Sequence, residues 1–215
     1  MVRILAYHAP SFDWWFLTGG ILKNEEKSLR IKRLLVIFIG VTMILSTFGV
    51  IFYGFTGTEQ KTSYGKYKFY RTQNMWTTTL DKQKIYFNYV PTQTEDINVS
   101  QDIKDILKNK IEIDTTYDIY DKLNQTIGLA QYQIGTTLTQ ANMYVRKGVT
   151  SNNTFNFPII TCKDATDNIP VIFFKQGNTT SLRTEKSCVI AEAPSDIELL
   201  RVADRISFTI LGIME

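Results

Sequence analysis

The sequence predicts an α+β domain, or a three-layer α/β domain, that follows an N-terminal transmembrane helix. Three observations lead to this fold class: an uncharged apolar run, then segments that alternate between polar and apolar residues, then stripes of apolar residues at helical spacing. We divide the chain into a cytoplasmic basic tail (1–33), a transmembrane signal anchor (34–55), a linker (56–63) and an exported domain (64–215).

The apolar run Leu34–Phe55 has 22 residues and no charge. As a helix rising 1.5 Å per residue it would be about 33 Å long, enough for a bilayer core of roughly 30 Å. A buried core helix is one alternative. A cleaved signal peptide is another, although the run is longer than usual for one and no Ala-x-Ala-like site follows it. We expect a retained single-pass anchor, with the lipid bilayer as the partner of residues 34–55.

Charge predicts the orientation of this anchor. The chain has a net charge of +3, and residues 1–55 contribute all of it. Five cationic residues lie between Lys23 and Arg33, against three over a comparable distance beyond the run. The positive-inside rule therefore predicts a cytoplasmic N-terminus and a C-terminal domain outside the cell membrane. Because the remaining residues are neutral overall, with 18 charges of each sign, we expect no nucleic-acid partner.

The stretch 1–22 contains Trp14, Trp15 and His8, the only histidine of the chain. It has three interpretations. The paired Trp residues suit a segment at the membrane interface. The stretch could also be a partner-binding tail, or translation could start after it.

Cys162 and Cys188 both fall in the part predicted to be exported, where disulfides persist. Strand-like residues flank each of them. A bridge closing a loop of about 25 residues would stabilise the fold by roughly 3–4 kcal/mol. We predict a structural disulfide, with two separate buried thiols or a redox pair as the alternatives. A catalytic dithiol usually has Cys-x-x-Cys spacing, which this chain lacks.

Histidine is absent after residue 8, which excludes Ser-His-Asp chemistry, Cys-His chemistry and His-ligated zinc from the exported part. No phosphate-binding loop, calcium loop or nucleophile elbow occurs either. We therefore predict no catalytic residue, no metal and no cofactor.

Carboxylates remain, and most are expected to cap helices. Two alternatives stay open: a cation site formed by Asp114, Asp118 and Asp121, and a glycan hydrolase drawing its acids from Asp102, Asp114, Asp118 and Asp164.

Four possible N-glycosylation sites lie beyond the anchor, which agrees with an exterior location. They are Asn98, Asn124, Asn152 and Asn178.

Alternating residues predict a three-stranded antiparallel meander over 66–70, 75–80 and 84–90. We assign its aromatic side chains to the core, with ligand stacking as the alternative. A short capped helix with Ile103 and Leu107 on one face follows, then a strand at 111–115. A longer helix is predicted from Asp118, with apolar residues every three or four positions as far as Leu138.

The last third predicts an extended segment at 143–149, a strand at 157–163, and a hairpin-like pair formed by 170–175 and 187–193. Ser195 to Glu198 is a capping box, and Ile197 begins the apolar stripe of a final helix. On that helix Arg201 and Arg205 share a face with Glu198, beside Asp204. We interpret these charges as pairs on a solvated face, with an anion site as the alternative.

The stretch Ile169–Asn178, with its closing strand and helix, resembles the C-terminal half of thioredoxins. In that family an Ile-Pro precedes a β-hairpin and a final helix, so the resemblance implies a cis-proline at Pro170. It does not extend to the Cys-x-x-Cys helix start, because the region after Val90 reads Pro91-Thr92-Gln93-Thr94. The resemblance therefore implies the fold without its redox activity.

Residues 64–214 also resemble uncharacterised archaeal single-pass membrane proteins that have one N-terminal anchor and an exported domain of this length. The resemblance is carried by the segments 66–70, 87–91, 158–166, 187–190 and 203–213. It implies paired cysteines and an outside location, and it supplies no activity.

Together these patterns predict a non-catalytic binding domain or accessory subunit at the cell surface, with a membrane or cell-surface protein as its partner. The alternative is a membrane-tethered, thioredoxin-like thiol–disulfide protein that uses Cys162 and Cys188.

Overall fold

A computed structural model describes residues 22–55 and 60–214. These residues form four α-helices and nine β-strands in two sheets, which confirms the predicted α+β class. The chain divides into two compact units, Met1–Thr58 and Glu59–Glu215. Apart from Leu22, the N-terminal stretch with its three interpretations lies outside the described residues.

The first helix, α1, extends over Leu22–Phe55 and therefore begins inside the predicted tail. Its segment Leu29–Gly49 has 21 residues with a mean hydropathy of 1.9, so it is long and apolar enough to cross a membrane. The large apolar side chains of this segment are 46–68% exposed. Thr42 and Thr47 each donate their hydroxyl to a carbonyl one turn back, which satisfies these polar groups within the helix itself.

The first sheet is an antiparallel meander of four strands in chain order. Its strands are β1 (Lys61–Tyr64), β2 (Tyr67–Thr72), β3 (Met75–Leu80) and β4 (Gln83–Phe87). Residues with positive φ shape its turns, among them Gly65, Gln73 and the pair Asp81-Lys82.

The sequence predicted three strands here, and β1 lies partly within the predicted linker 56–63. Lys61 and Ser63 are exposed, whereas Thr62 and Tyr64 are half-buried. An edge strand that buries so little apolar surface leaves almost no hydrophobic alternation in the sequence, so the linker prediction is wrong from Lys61 onwards.

The second sheet has five strands in the order β6-β5-β7-β9-β8. The neighbours β6, β5, β7 and β9 are parallel, and β8 pairs antiparallel with β9 at the edge. The strands are β5 (Glu112–Tyr117), β6 (Tyr144–Lys147), β7 (Val171–Gln176), β8 (Ser181–Glu185) and β9 (Cys188–Ala193).

The predicted hairpin between 170–175 and 187–193 is wrong. These segments are β7 and β9, which lie side by side in parallel, with Val171 opposite Cys188. The antiparallel partner of β9 is β8, a polar edge strand joined to it through Lys186 and Ser187. The described residues contain no cis peptide bond, so the predicted cis-proline at Pro170 is also wrong.

Three helices complete the domain: α2 (Gln101–Leu107), α3 (Asn124–Gln140) and α4 (Asp196–Ile210). Ser100 and Ser195 cap α2 and α4 by accepting a backbone N–H in the first turn. The helix predicted from Asp118 begins six residues later. The carboxylates of Asp118 and Asp121 instead accept N–H groups two residues ahead, in tight turns that delay the helix.

The apolar stripe of α4 differs from the predicted one. Ile197 is 63% exposed, and the stripe that packs on the sheet begins at Leu199 and continues through Val202, Ala203 and Ile206. From Val202 to Phe208 the helix is buried on all sides. This segment is buried because α4 is in contact with α2, α3, β9 and the 3₁₀ turn Pro91–Gln93 after β4.

The main core lies between the three helices and one face of the second sheet, where Ile113, Ile172 and Val189 point towards them. A second core fills the inner face of the first sheet, where Phe208 of α4 meets Phe69 and Phe87. The ring centroids of Phe87 and Phe208 are 4.4 Å apart. Helix α4 thus contributes to both cores.

The other face of the second sheet is covered by the connection between β6 and β7. Because strand side chains alternate, Val171, Cys188 and Ile190 point away from the helices, and Ile160 packs on them. The predicted strand 157–163 is not a strand. It has one isolated bridge, Val149 to Ile159, and a 3₁₀ turn at Cys162–Asp164 in which Thr161 and Asp164 cap each other.

Candidate functional site

A groove lies between β4 and α3 on the surface of the folded domain. β4 is an edge strand of the first sheet, and α3 packs beside it. The groove has a volume of about 200 Å³. This is less than the roughly 300–1,000 Å³ of a typical small-molecule site, so the groove suits individual side chains of a partner protein. Its lining residues come from β3, β4 and α3: Met75, Tyr86, Leu129, Tyr132, Gln133, Thr136, Thr137 and Gln140.

Helix α3 reaches this groove with a second stripe of residues. Its core-facing positions, such as Ile134, are fully buried. Leu129, Tyr132 and Thr136 follow one another at i, i+3 and i+7 on another face, where Leu129 is 46% and Tyr132 60% exposed. Tyr86 adds a third partly exposed apolar side chain from β4. An apolar stripe open to solvent on a helix is typical of a docking surface.

Hydrogen bonds hold the floor of the groove rigid. The side-chain amides of Asn88 and Gln133 donate to each other, with N···O distances of 2.8 and 3.1 Å. Thr137 donates its hydroxyl to the carbonyl of Tyr86 at 3.2 Å. These bonds join α3 to β4 and to the residues after it, which favours a preorganised lining.

Gln140 contributes one unsatisfied acceptor to the wall of the groove. Its Oε1 is buried and receives no hydrogen bond from the described residues. A buried acceptor without a donor costs free energy. The groove therefore has a mainly apolar surface over a wall that contains one unpaired oxygen.

Asp204 of α4 holds the backbone of the segment beside the groove in place. Its carboxylate is buried, and Oδ2 accepts the backbone N–H groups of Asn88 and Tyr89, each at 2.8 Å. Burial raises the pKa of Asp204 to about 7, although these backbone hydrogen bonds oppose the shift. Because it fixes the backbone of Asn88, Asp204 positions the side chain that pairs with Gln133.

The predicted solvated face of charges on α4 is wrong for two of its members, since Asp204 and Arg205 are both buried. Arg205 donates Nε to the carbonyl of Ile97 at 3.1 Å. Arg201 is less deeply buried, and it pairs with Glu198 and Asp96 while it donates to the carbonyl of Gln93. The charges on α4 thus hold the segment after β4 against the helix.

The predicted disulfide between Cys162 and Cys188 is present, with the two Cα atoms 5.2 Å apart. Cys188 is fully buried at the start of β9, and Cys162 is half-buried in the 3₁₀ turn. The bridge ties the covering segment to the centre of the second sheet. It lies among Ile160, Val171 and Ile190, which is a core environment.

Three of the four candidate acids have structural hydrogen-bond partners. The buried carboxylate of Asp114 accepts two hydrogen bonds from Arg146, at 2.9 and 2.6 Å. Asp118 caps a turn, Asp164 accepts the backbone N–H and the hydroxyl of Thr161, and Asp102 lies exposed in the first turn of α2. Within residues 22–55 and 60–214, no group of His, Cys, Asp or Glu side chains could hold a metal ion.

Three of the four possible glycosylation sites are accessible. Asn98, Asn152 and Asn178 are exposed and lie outside helices and strands. Asn124 is half-buried in the first turn of α3, and its Nδ2 donates to the carbonyl of Ile119 at 2.9 Å. A glycan on Asn124 would replace one of the two Nδ2 hydrogens at a half-buried position, which makes this the least accessible of the four sites.

No family model, curated protein or solved structure matches the chain. The groove, the disulfide and α1 are therefore interpreted from their own geometry.

Proposed function

We propose that the chain is a single-pass membrane protein whose exported domain is a non-catalytic binding or accessory subunit at the cell surface. The observation that carries this proposal is the segment Leu29–Gly49 of α1. Its apolar side chains are exposed along the whole segment, and a bilayer is the solvent that suits such a surface. The basic cluster before the apolar run supports a cytoplasmic N-terminus.

Two features support an exterior location for the domain. A disulfide persists in an oxidising compartment, and this one is built into the core. Three possible glycosylation sites are exposed on the surface of the same domain.

The groove between β4 and α3 supports a binding role. It is preformed, mainly apolar and sized for side chains, and it contains one buried acceptor. Three of the four candidate acids, Asp114, Asp118 and Asp164, have structural partners of their own, which favours binding over catalysis. A protein that inserts an apolar side chain is the partner that this chemistry recognises.

Protease accessibility tests the topology. Protease added to intact cells should digest residues 64–215 and leave a membrane-protected fragment containing α1. A domain that is digested only after the membrane is permeabilised would overturn the proposed orientation.

Site-specific photo-crosslinking in intact cells tests the groove. A benzophenone amino acid in place of Leu129 should give one discrete adduct with a membrane or cell-surface protein. The matched control is Ile111, which is 82% exposed and outside the groove. Adding Thr136→Arg, which places a charge in the groove, should abolish the adduct. The same adducts from both positions, or none at Leu129, would contradict binding through this surface.

The alternative proposal is a tethered thiol–disulfide protein that uses Cys162 and Cys188. Cys188 is fully buried, Cys162 is half-buried and the bridge lies among core side chains, whereas reactive cysteines lie in partly exposed, electropositive surroundings. We therefore favour a structural bridge. Its reduction potential decides between the two: a value below about −300 mV belongs to a structural disulfide, and a value near −200 mV would revive the alternative.

A further inference from the structure

The charge of the folded domain is unevenly distributed between its two sheets. Residues 60–90, which contain the first sheet, carry six basic residues and one acid, Asp81, for a net charge of +5. Residues 91–215 carry twelve basic and sixteen acidic residues, for a net charge of −4. The near-neutral average of the domain therefore hides a strongly basic sheet.

All six basic side chains of the first sheet are exposed, and none forms an ion pair with a described residue. Three of them, Lys61, Lys68 and Lys84, project from the outer face of the sheet. This follows from the register, because Phe69 and Ile85, the neighbours of Lys68 and Lys84 along their strands, point into the core.

Aromatic residues lie among these lysines. One row of directly opposed residues crosses all four strands on the outer face: Lys61, Tyr70, Thr77 and Tyr86. Tyr70 is 41% exposed, and Tyr86, at the far end of the row, lines the groove described above. Beside this row, Lys61, Ser63, Lys68 and Tyr70 line a shallow depression of about 380 Å³. Lysine and tyrosine on one face match the interfacial region of a bilayer, where cations meet anionic headgroups and Tyr lies at headgroup depth.

The connection between α1 and β1, which we call the tether, is short, and this favours the membrane as the ligand of the basic sheet. Five residues separate the end of α1 at Phe55 from the start of β1 at Lys61. A fully extended chain covers at most about 3.6 Å per residue, so β1 can begin no more than roughly 20 Å from the end of the helix. A basic sheet on so short a tether meets the headgroups of its own membrane at very high effective concentration.

We propose that the outer face of the first sheet docks onto the anionic lipid headgroups of the membrane in which α1 is anchored. The proposal rests on the membrane anchoring proposed above, and it does not depend on which side of the membrane the domain occupies. Each lysine brought to an anionic surface strengthens such binding roughly fivefold.

The test uses the full chain in lipid vesicles. A fluorophore is attached at Thr79→Cys, an exposed position on the outer face opposite Lys84, and a spin label on a minor lipid headgroup quenches it. We expect strong quenching in phosphatidylcholine with about 30 mol% phosphatidylglycerol and weak quenching in phosphatidylcholine alone. Raising the salt from about 0.15 M to about 0.5 M should reduce the quenching in anionic vesicles. A fluorophore at Asp102→Cys, on α2, should show little quenching in either lipid.

Charge reversal provides the matched variants. K61E/K68E/K84E should lower the equilibrium constant for docking onto anionic vesicles by at least two orders of magnitude. K108E/K122E/K186E reverses three exposed lysines elsewhere on the domain and should leave the quenching unchanged. Circular dichroism of both variants checks that they fold.

Equal quenching in neutral and anionic vesicles, or quenching that survives K61E/K68E/K84E, would overturn the proposal. A soluble acidic protein or nucleic acid that abolishes the quenching in anionic vesicles at low concentration would also overturn the proposal. Such a ligand would then be the preferred occupant of the basic face. Failure of the anchor itself gives a different result: the chain would not float with vesicles of either composition.

Discussion

The two sheets of the folded domain differ in pairing, burial and charge. The first is antiparallel, buries one face against Phe208 and leaves the other to solvent with its exposed lysines. The second is largely parallel and covered on both faces, by helices on one side and by the disulfide-braced segment on the other. This is the division expected from general sheet architecture, in which parallel sheets are buried and antiparallel sheets can face water on one side.

The difference indicates a division of roles. The second sheet holds the disulfide and the Asp114–Arg146 pair, and both stabilise it from within. The first sheet and the flank of α3 present the basic face and the apolar groove. We therefore expect changes in the second sheet to affect stability, and changes on the outer face of the first sheet to affect binding.

Asp204 links the two sheets, and its substitution should have the largest effect. Its folded pKa of about 7 lies above the unfolded value of 3.8, so the unfolded state binds fewer protons between these values. The contribution of Asp204 to stability is therefore highest below about pH 4 and is lost as the pH rises towards 7, by on the order of 4 kcal/mol. Asp204→Asn should lack this change, as urea unfolding across this pH range would show.

The matched control for this substitution is Asp102→Asn, because Asp102 is exposed on α2. Its unfolding free energy should run parallel to that of the wild type over the same pH range. A constant difference between the wild type and Asp204→Asn would show that the buried carboxylate does not titrate there.

Removal of the disulfide should have the next largest effect. Cys162→Ser together with Cys188→Ser opens a loop with a sequence separation of 26 residues. The free energy of unfolding should fall by about 3.5 kcal/mol in the loop-entropy account. Urea unfolding gives the value, and the wild type measured in reductant should match the double variant. A loss below about 1 kcal/mol would mean that packing alone holds the covering segment.

Two cations, one on each sheet, allow a direct comparison. Arg146→Met leaves Asp114 buried without its partner and should cost about 3 kcal/mol. Lys68→Met removes an exposed cation from the first sheet and should change stability by less than about 0.5 kcal/mol. Thermal unfolding of both variants measures the contrast. Similar losses would refute the assignment of different roles to the sheets.

A small effect on stability is also expected in the groove. Leu129→Ala removes a side chain that is 46% exposed, so its stability should stay within about 1 kcal/mol of the wild type. Ile134→Ala, on the core face of the same helix, should cost about 2–5 kcal/mol. Urea unfolding compares the two. If Leu129→Ala proved as costly as Ile134→Ala, the groove would be part of the core rather than a binding surface.

The elements that the sequence predicted well have strong local signals. Several of these elements depend only on residues close together in the chain: the apolar run of α1, the serine cap and stripe of α2, the aromatic strands β2 to β4 and the Ser195 cap of α4. The disulfide was predicted from compartment and flanking residues. Each of these inferences needs only the residue types and their spacing.

The features that the sequence did not predict depend on contacts between distant residues, or they bury little apolar surface. The strands β1 and β8 are polar edges with weak alternation, and the parallel pairing of β7 with β9 is a non-local choice. The burial of Asp204 follows from its contact with the segment after β4, more than 110 residues away in sequence. The groove has one sequence signal, the apolar residues of α3 that lie off its core stripe, such as Leu129 and Tyr132.

The polar edge strands that were difficult to predict from the sequence also affect how copies of the chain interact. Proteins confined to a membrane meet one another frequently, and an open sheet edge is a template for pairing with a second copy. The edges β1, β6 and β8 are only four, four and five residues long, and each contains a charged residue. The remaining edge, β4, has α3 packed beside it. In the membrane anchoring proposed above, short, charged or covered edges would allow many copies to share one membrane without aggregating through their sheets.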